Sequence, residues 1–118
     1  MDYNVCEIKS FDFAVRIVKL YKYLTEQKKE YVMSKQLLRS GTSIGANIAE
    51  AQRGFSKADF SYKMGISLKE ANESEYWIRL LHRTGYIDDN QFESLNEDIS
   101  EILKILTAIC KTTNNENQ

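Results

Sequence analysis

Residues 36–54 read QLLRSGTSIGANIAEAQRG, and the fold turns on how this stretch packs. Leu37, Gly41, Ile44, Ile48, Ala51 and Phe55 step by alternating four and three residues, the spacing of one buried helix face. Around the rest of that helix, Ser40, Thr42, Ser43, Gly45, Ala46 and Ala49 leave little ordinary side-chain surface. Two glycines cost a helix about 2 kcal/mol relative to alanine, so something must offset them. The physical candidate is close approach of another backbone over the small-xxx-small pair Gly41 and Gly45. The segment lacks GxGxxG and GxxxxGK and lies inside a helix, not at its start, so it is a packing motif and not a phosphate loop.

Working outward, two start signals mark the helices that follow. Gly54 sits where a left-handed residue would end the small-residue helix, Ser56 caps the next with Asp59 three residues on, and Phe55 is placed to staple against Phe60. The arrangement recurs with Gly85 as terminator, Asp88 and Gln91 as capping pair and Ile87 against Phe92. Before the small-residue helix, Ser10 is expected to cap a helix running to about Leu24, with the second helix beginning between Thr25 and Lys29. Phe13, Ile17, Leu20, Tyr21 and Leu24 give that first helix an apolar face. Phe60, Met64, Leu68, Ala71, Ile78 and Leu81 do so for the third helix, and Phe92, Leu95, Ile99, Ile102, Leu106 and Ile109 for the fourth. Short connections imply antiparallel neighbours. The expectation is an all-α, up-down-up-down four-helix bundle over residues 1–111, followed by a polar, disordered tail over 112–118.

Composition agrees. The chain has 118 residues, 42% hydrophobic and 28% charged, and no proline, which favours one domain of long uninterrupted helices. No apolar run is long enough to span a bilayer and nothing resembles a signal peptide, so a cytoplasmic protein with free thiols at Cys6 and Cys110 is expected. A bridge between those two cysteines would need the chain ends to meet. The net charge of −1 divides unevenly: residues 1–63 carry eleven Lys or Arg against seven Asp or Glu, whereas residues 64–118 carry five against ten. Such halves attract each other, within a subunit or between subunits.

Gln36, Arg39, Ser43, Ile44, Asn47, Ile48, Ala49 and Glu50, followed by Ser67, Leu68, Glu70 and Glu73 in SLKEANESEYWIRLLHRTGYI, give the chain a recognisable middle. It resembles the bacterial four-helix-bundle family named for proteins encoded in intervening sequences of large-subunit ribosomal RNA genes, over about residues 10–110. That family is in turn similar to the accessory variability determinant of diversity-generating retroelements, a pentameric ring that works with a reverse transcriptase and binds nucleic acid. The resemblance implies the bundle and self-association, with a pentamer as the implied ring; the accessory protein is strongly basic, whereas this chain is slightly acidic.

Candidate sites follow from residue type and position. Lys28, Lys35, Arg39 and Arg53 share a narrow sector opposite the buried seam, with Thr42, Ala46 and Ala49 in its middle, so a second helix-covering contact framed by cations is expected there. Together with Lys57 and Lys63 these cations form the candidate surface for RNA or DNA. The competing reading pairs them with acidic helices, since Glu93, Glu97 and Glu101 form a like-charge ladder that a basic neighbour would relieve. Gly41, Thr42, Gly45, Ala46, Asn47, Ala49 and Glu50 are the candidate helix-packing or oligomer-interface set, with Asn47 and Glu50 bonded to hydroxyls, backbone or Arg53. Trp77 with Tyr76 reads as a core or interface anchor, or as an aromatic platform.

No catalytic set emerges. A di-metal bundle site wants two Glu-x-x-His motifs, and the single histidine, His82, has Arg79 three residues before it. His82 therefore reads as a helix-end or surface residue, and no cofactor or metal is expected. The expected role is a non-catalytic homo-oligomeric module, binding nucleic acid or serving as a scaffold for itself or for an unidentified protein.

Overall fold

The computed structural model describes residues 3–116. Four helices follow one another: α1 (Asn4–Glu26), α2 (Met33–Gln52), α3 (Lys57–Arg83) and α4 (Asp89–Glu116). Each packs on the next, and α4 closes back on α1. Cross-helix contacts run in opposite senses along neighbours, with Ser40 opposite Ser74 and Ile44 opposite Ser67, so the bundle is antiparallel, up-down-up-down, and measures 47 × 21 × 20 Å. Its core takes a large fully buried set from every helix, including Phe13, Ile17, Leu37, Ile44, Ile48, Met64, Ile78, Ile99 and Leu106. The buried positions of α2 and α4 keep the four-and-three rhythm of the sequence, except that Phe55 is fully exposed and Phe92 only half buried.

The glycine pair works at the α1–α2 seam. A Cβ on Gly41 would lie 2.9 Å from Ile17 Cγ1, and one on Gly45 would lie 3.3 Å from Ser10 Oγ and 3.4 Å from the Ser10 backbone. Ile17 is β-branched and only 1% exposed, so it has little freedom to yield. The α2–α3 seam is also built from small residues. Ser67 Oγ donates to the Ile44 carbonyl at 2.9 Å, and Ser74 Oγ lies 2.9 Å from Ser40 Oγ, all in the interior.

Both later turns keep the caps expected of them. The Ser56 hydroxyl accepts from Asp59 N–H at 3.1 Å, and Asp88 and Gln91 bond reciprocally at 2.7 and 2.8 Å as a capping box. Gly85 has φ +86°, with its own N–H bonded to the His82 carbonyl and that of Tyr86 to Leu81, a Schellman closure.

Four expectations are corrected. Gly54 is not left-handed: Arg53 and Gly54 N–H groups reach back to Glu50 and Ala51 carbonyls, tightening the last turn of α2 without a positive φ. Phe55 makes no staple, and Phe60 instead meets Tyr3 with ring centroids 4.8 Å apart. Ser10 is not a cap, because α1 begins at Asn4 and Ser10 is buried under Gly45, its hydroxyl donating to the Glu7 carbonyl. The small-residue helix starts at Met33 and not before Lys29: Lys29 takes φ +55° to reverse the chain.

Glu30 then closes the new helix. Its carboxylate accepts backbone N–H bonds from Val32, Met33 and Ser34 at 3.2, 3.1 and 2.7 Å, satisfying donors that a helix start leaves open. Past residue 111 the chain also departs from expectation. Instead of a disordered tail, 112–116 continue α4, with Thr113 buried and Asn114 Oδ1 accepting from Ser61 at 3.1 Å. The remainder of that tail, Asn117 and Gln118, lies outside the described residues. Cys6 and Cys110 are buried and are not bridged to each other; the Cys6 thiol donates to the Tyr3 carbonyl at 3.1 Å, and burial raises the Cys110 thiol pKa.

Two outcomes follow from these contacts. Burial pushes the Glu30 pKa up, but the backbone donors of Ser34, Met33 and Val32 outweigh it and hold the carboxyl below its ordinary range. The stabilisation is therefore complete above the unfolded carboxylate range and is lost as pH falls through the lower folded value. Glu30→Gln should flatten the acid limb of stability measured by urea melts from neutral to acid pH. Gly41→Leu overpacks Ile17 and should lower stability by about 1–3 kcal/mol or more; an unchanged thermal midpoint would refute the close-packing account of α2.

Candidate binding surfaces

The outward face of α2 is set by phase. Leu37, Ile44, Ile48 and Ala51 turn inward, which leaves Lys35, Arg39, Thr42, Ala46, Ala49 and Arg53 on the opposite side at 100° per residue. Ala46 is exposed and Thr42 and Ala49 are half buried, so the middle of this face is a shallow floor with cations at its ends. Gly41 is buried and Gly45 half buried against α1, and so belong to the seam within the chain. The Asn47 side-chain amide donates to the Ser43 carbonyl at 2.8 Å, a bond along its own helix.

The six cations do not converge. Lys28 lies in the α1–α2 turn, 5.9 Å from the centre of the Tyr23 ring. Lys35 and Arg39 occupy the first turns of α2, whereas Arg53, Lys57 and Lys63 lie around the far turn, and Lys35 to Arg53 spans about 27 Å of helix. Two are already paired. Arg39 Nη1 donates to Glu70 at 3.0 Å and Nη2 donates to Glu73, while Lys63 donates to Glu50 at 2.8 Å. Desolvation works against the Arg39 charge, but the Glu73 hydrogen bond and the charges of Glu70 and Glu73 outweigh it and raise its pKa. The hydrogen bond and charge of Glu50 likewise raise that of Lys63. Glu50 thus meets Lys63 instead of Arg53, whose guanidinium reaches the Ala49 carbonyl. Lys35, Arg53 and Lys57 are exposed and make no ion pair among the described residues.

The acidic half is answered from another direction. Glu101 takes Lys9 at 2.8 Å and Asp98, beside the ladder, takes Arg16 at 2.6 Å, so the ion pairs of α4 come from α1 within the chain and not from the α2 cations, and Glu93 and Glu97 make none among the described residues. Glu70 and Glu73 come together around a guanidinium and not as a metal cluster. No group of three or more His, Cys, Asp or Glu side chains is disposed to hold a metal among the described residues. Nor, among those residues, does any buried side-chain polar atom lack a partner.

One surface was missed by sequence reading. Ile8, Phe11, Val15 and Val18 step by three, four and three along α1 and stand 61, 68, 40 and 38% exposed. They lie roughly opposite the buried Phe13–Ile17 stripe, so α1 is apolar on two faces. The signal is present in the sequence, but starting the helix at Ser10 removes its first turns. At the far corner, Trp77 packs against the core and donates to Glu73 at 3.2 Å, while Tyr76 stays 55% exposed. His82 lies flat on Phe92, with centroids 4.1 Å apart and planes at 9°, and contacts Asp89 Oδ1 at 2.7 Å.

A family model described as 23S rRNA-intervening sequence protein matches residues 2–108. The chain belongs to this family. A crystal structure of a protein of unknown function, from the S23 ribosomal protein family of Bacteroides thetaiotaomicron VPI-5482, shares 60% identity with the intervening-sequence protein described here. The match covers 94% of this chain and 99% of that one, with a TM-score of 0.91. No curated protein gives a significant match. Among the described residues of this family member, no helix is long and apolar enough to cross a membrane.

The Arg39 clamp is directly testable. Arg39→Ala leaves two carboxylates, 13 and 33% exposed, without their cation. A loss of about 1 kcal/mol in urea unfolding is expected, shrinking in high salt.

Proposed function

We propose that this intervening-sequence family protein is a non-catalytic, self-assembling helical module whose copies meet through the outer face of α1 and α2. The observation that carries the reading is the juxtaposition of large and small side chains. Ile8, Phe11, Val15 and Val18 project from α1, while the adjacent α2 offers the floor of Thr42, Ala46 and Ala49. Knobs of one copy fit the floor of the next, burying apolar surface that water otherwise covers. Where the knobs of one copy meet the floor of the next in one direction only, the contact is heterologous, and it forms a ring when the rotation between copies closes. The resemblance to the retroelement accessory protein supports five copies. A face two helices wide and about 25 Å long is on the order of 500 Å² in projection, comparable with the ~800 Å² of accessible surface that each partner of a stable pair buries.

Nucleic-acid binding by the α2 cations is the weaker part of this reading. With Arg39 and Lys63 internally neutralised, one subunit offers Lys35 at one end and Arg53 with Lys57 at the other. A ring would repeat this sparse pattern, so RNA or DNA contact there depends on assembly. Scaffolding, with itself or with another protein, needs no such convergence.

Light-scattering mass measurements test assembly. Wild type should run as a closed oligomer, and Phe11→Glu and Ala46→Arg should each yield monomers with unchanged helical circular dichroism. A monomeric wild type, or variants of wild-type mass, would overturn the proposed interface.

A further inference from the structure

The corner between the end of α3 and the start of α4 holds a cleft of about 290 Å³ lined by Tyr76, Arg79, Leu80, His82, Arg83 and Phe92. We propose that this cleft binds one nucleotide unit, its base against the aromatic side chains and its phosphate on Arg79 and Arg83. The inference is separate from assembly, since the cleft belongs to α3 and α4 and the proposed interface to α1 and α2.

Three features of the cleft converge. First, its cations are uncommitted. Arg79 and Arg83 are exposed, lie one helical turn apart and make no hydrogen bond or ion pair among the described residues, unlike Arg16 and Arg39, which hold carboxylates. A pair of guanidiniums at that spacing offers planar, forked donors suited to phosphate. Second, its aromatic wall is fixed. Phe92 holds the His82 ring face to face and Asp89 anchors His82 Nε2, so this stack is ordered before any ligand arrives. Tyr76 stands against Trp77 edge-on at 5.1 Å, leaving the phenol ring half exposed beside the arginines. Stacking of a base on an aromatic side chain contributes about 1–3 kcal/mol and tolerates any base.

Third, the charge of the whole chain limits the ligand. A net charge of −1 gives no broad positive field, so an anion must be recognised locally, by few groups and over a short length. The cleft volume is at the small end of the range for ligand sites, which suits a single nucleotide and not a duplex. Cations in the last turn of α3 also complement the helix dipole. That accounts for Arg83 and His82 near the end, but not for an exposed tyrosine and an ordered ring stack facing the same opening.

The same chemistry is presented by a free mononucleotide and by a residue within a single strand. Calorimetric titration of the full chain with AMP and, separately, with a dodecameric oligoadenylate at about 50 mM salt distinguishes the two sources. Saturable binding of either is expected. AMP matching the strand in affinity per site assigns a free nucleotide, and binding of the strand alone assigns single-stranded nucleic acid. Arg79→Gln with Arg83→Gln should weaken binding at least about tenfold and, for the strand, reduce the salt slope by about 0.7, the value for one phosphate. Tyr76→Leu should weaken it too, whereas Lys69→Gln with Lys104→Gln, exposed and outside the cleft, should leave it unchanged. No saturable heat with either probe, or equal binding by the Arg79/Arg83 variant, overturns the proposal. Solution mass recorded on the same samples keeps this outcome apart from assembly: a monomer that binds nucleotide sinks only the interface, and an oligomer that does not sinks only the cleft.

Discussion

The bundle depends on how closely α2 lies against α1. At Gly41 and Gly45 the second helix has no side chain to hold its neighbour away, and Ile17 and the Ser10 backbone fill that space. The two glycines cost α2 about 2 kcal/mol of intrinsic helicity, which dispersion contacts along the seam offset. Serines perform a related service on the other side of α2, where Ser40, Ser67 and Ser74 pack without bulk and satisfy their hydroxyls on each other and on backbone carbonyls. A helix drawn in from two sides has only its outermost strip left to face outward, and that strip is made of small residues too.

Charge is arranged around this packing instead of directing it. The basic first half and acidic second half of the chain meet as ion pairs at two seams, Lys9 and Arg16 of α1 with α4, and Arg39 of α2 with α3. Exposed pairs of this kind contribute little each, so they select which faces adjoin more than they set overall stability. Arg39, together with Lys63 held by Glu50, is thereby withdrawn from the cations that a reading of the sequence alone assigns to nucleic acid. Of the cations left without an ion pair among the described residues, Lys35, Arg53 and Lys57 lie scattered along the basic half, whereas Arg79 and Arg83 share one cleft in the acidic half, where the net charge points away from such a role.

The architecture was largely readable from the chain. Periodicity placed the buried faces of α2 and α4, and the capping pairs at Ser56 and Asp88 placed the last two helix starts, because those signals are local. The first turn was not readable in the same way. Glu30 caps α2 from a position before the helix, behind a left-handed Lys29, and no short motif announces that geometry. Ser10 looked like a cap because serine favours that role, whereas its small size under Gly45 was what mattered. The candidate surfaces were less readable still. Pairing of Arg39 with residues more than thirty positions away, and the convergence of Tyr76, Arg79 and Phe92 from two helices, are tertiary facts. The intervening-sequence family and its solved relative of unknown function establish the scaffold on which these surfaces sit.

The seam between α1 and α4 is the thinnest of the four, and clefts run along it where Lys9, Arg16 and Leu20 face Asp98, Glu101 and Leu95. It also joins the stretches farthest apart in the chain, so its formation must pay the largest loop-closure entropy. The remaining helices can zip together through short turns, α1 onto α2, α2 onto α3, α3 onto α4, before this last edge shuts. On packing alone, α2 and α3 form the spine of the bundle, and the α1–α4 edge is where local opening is expected to cost least.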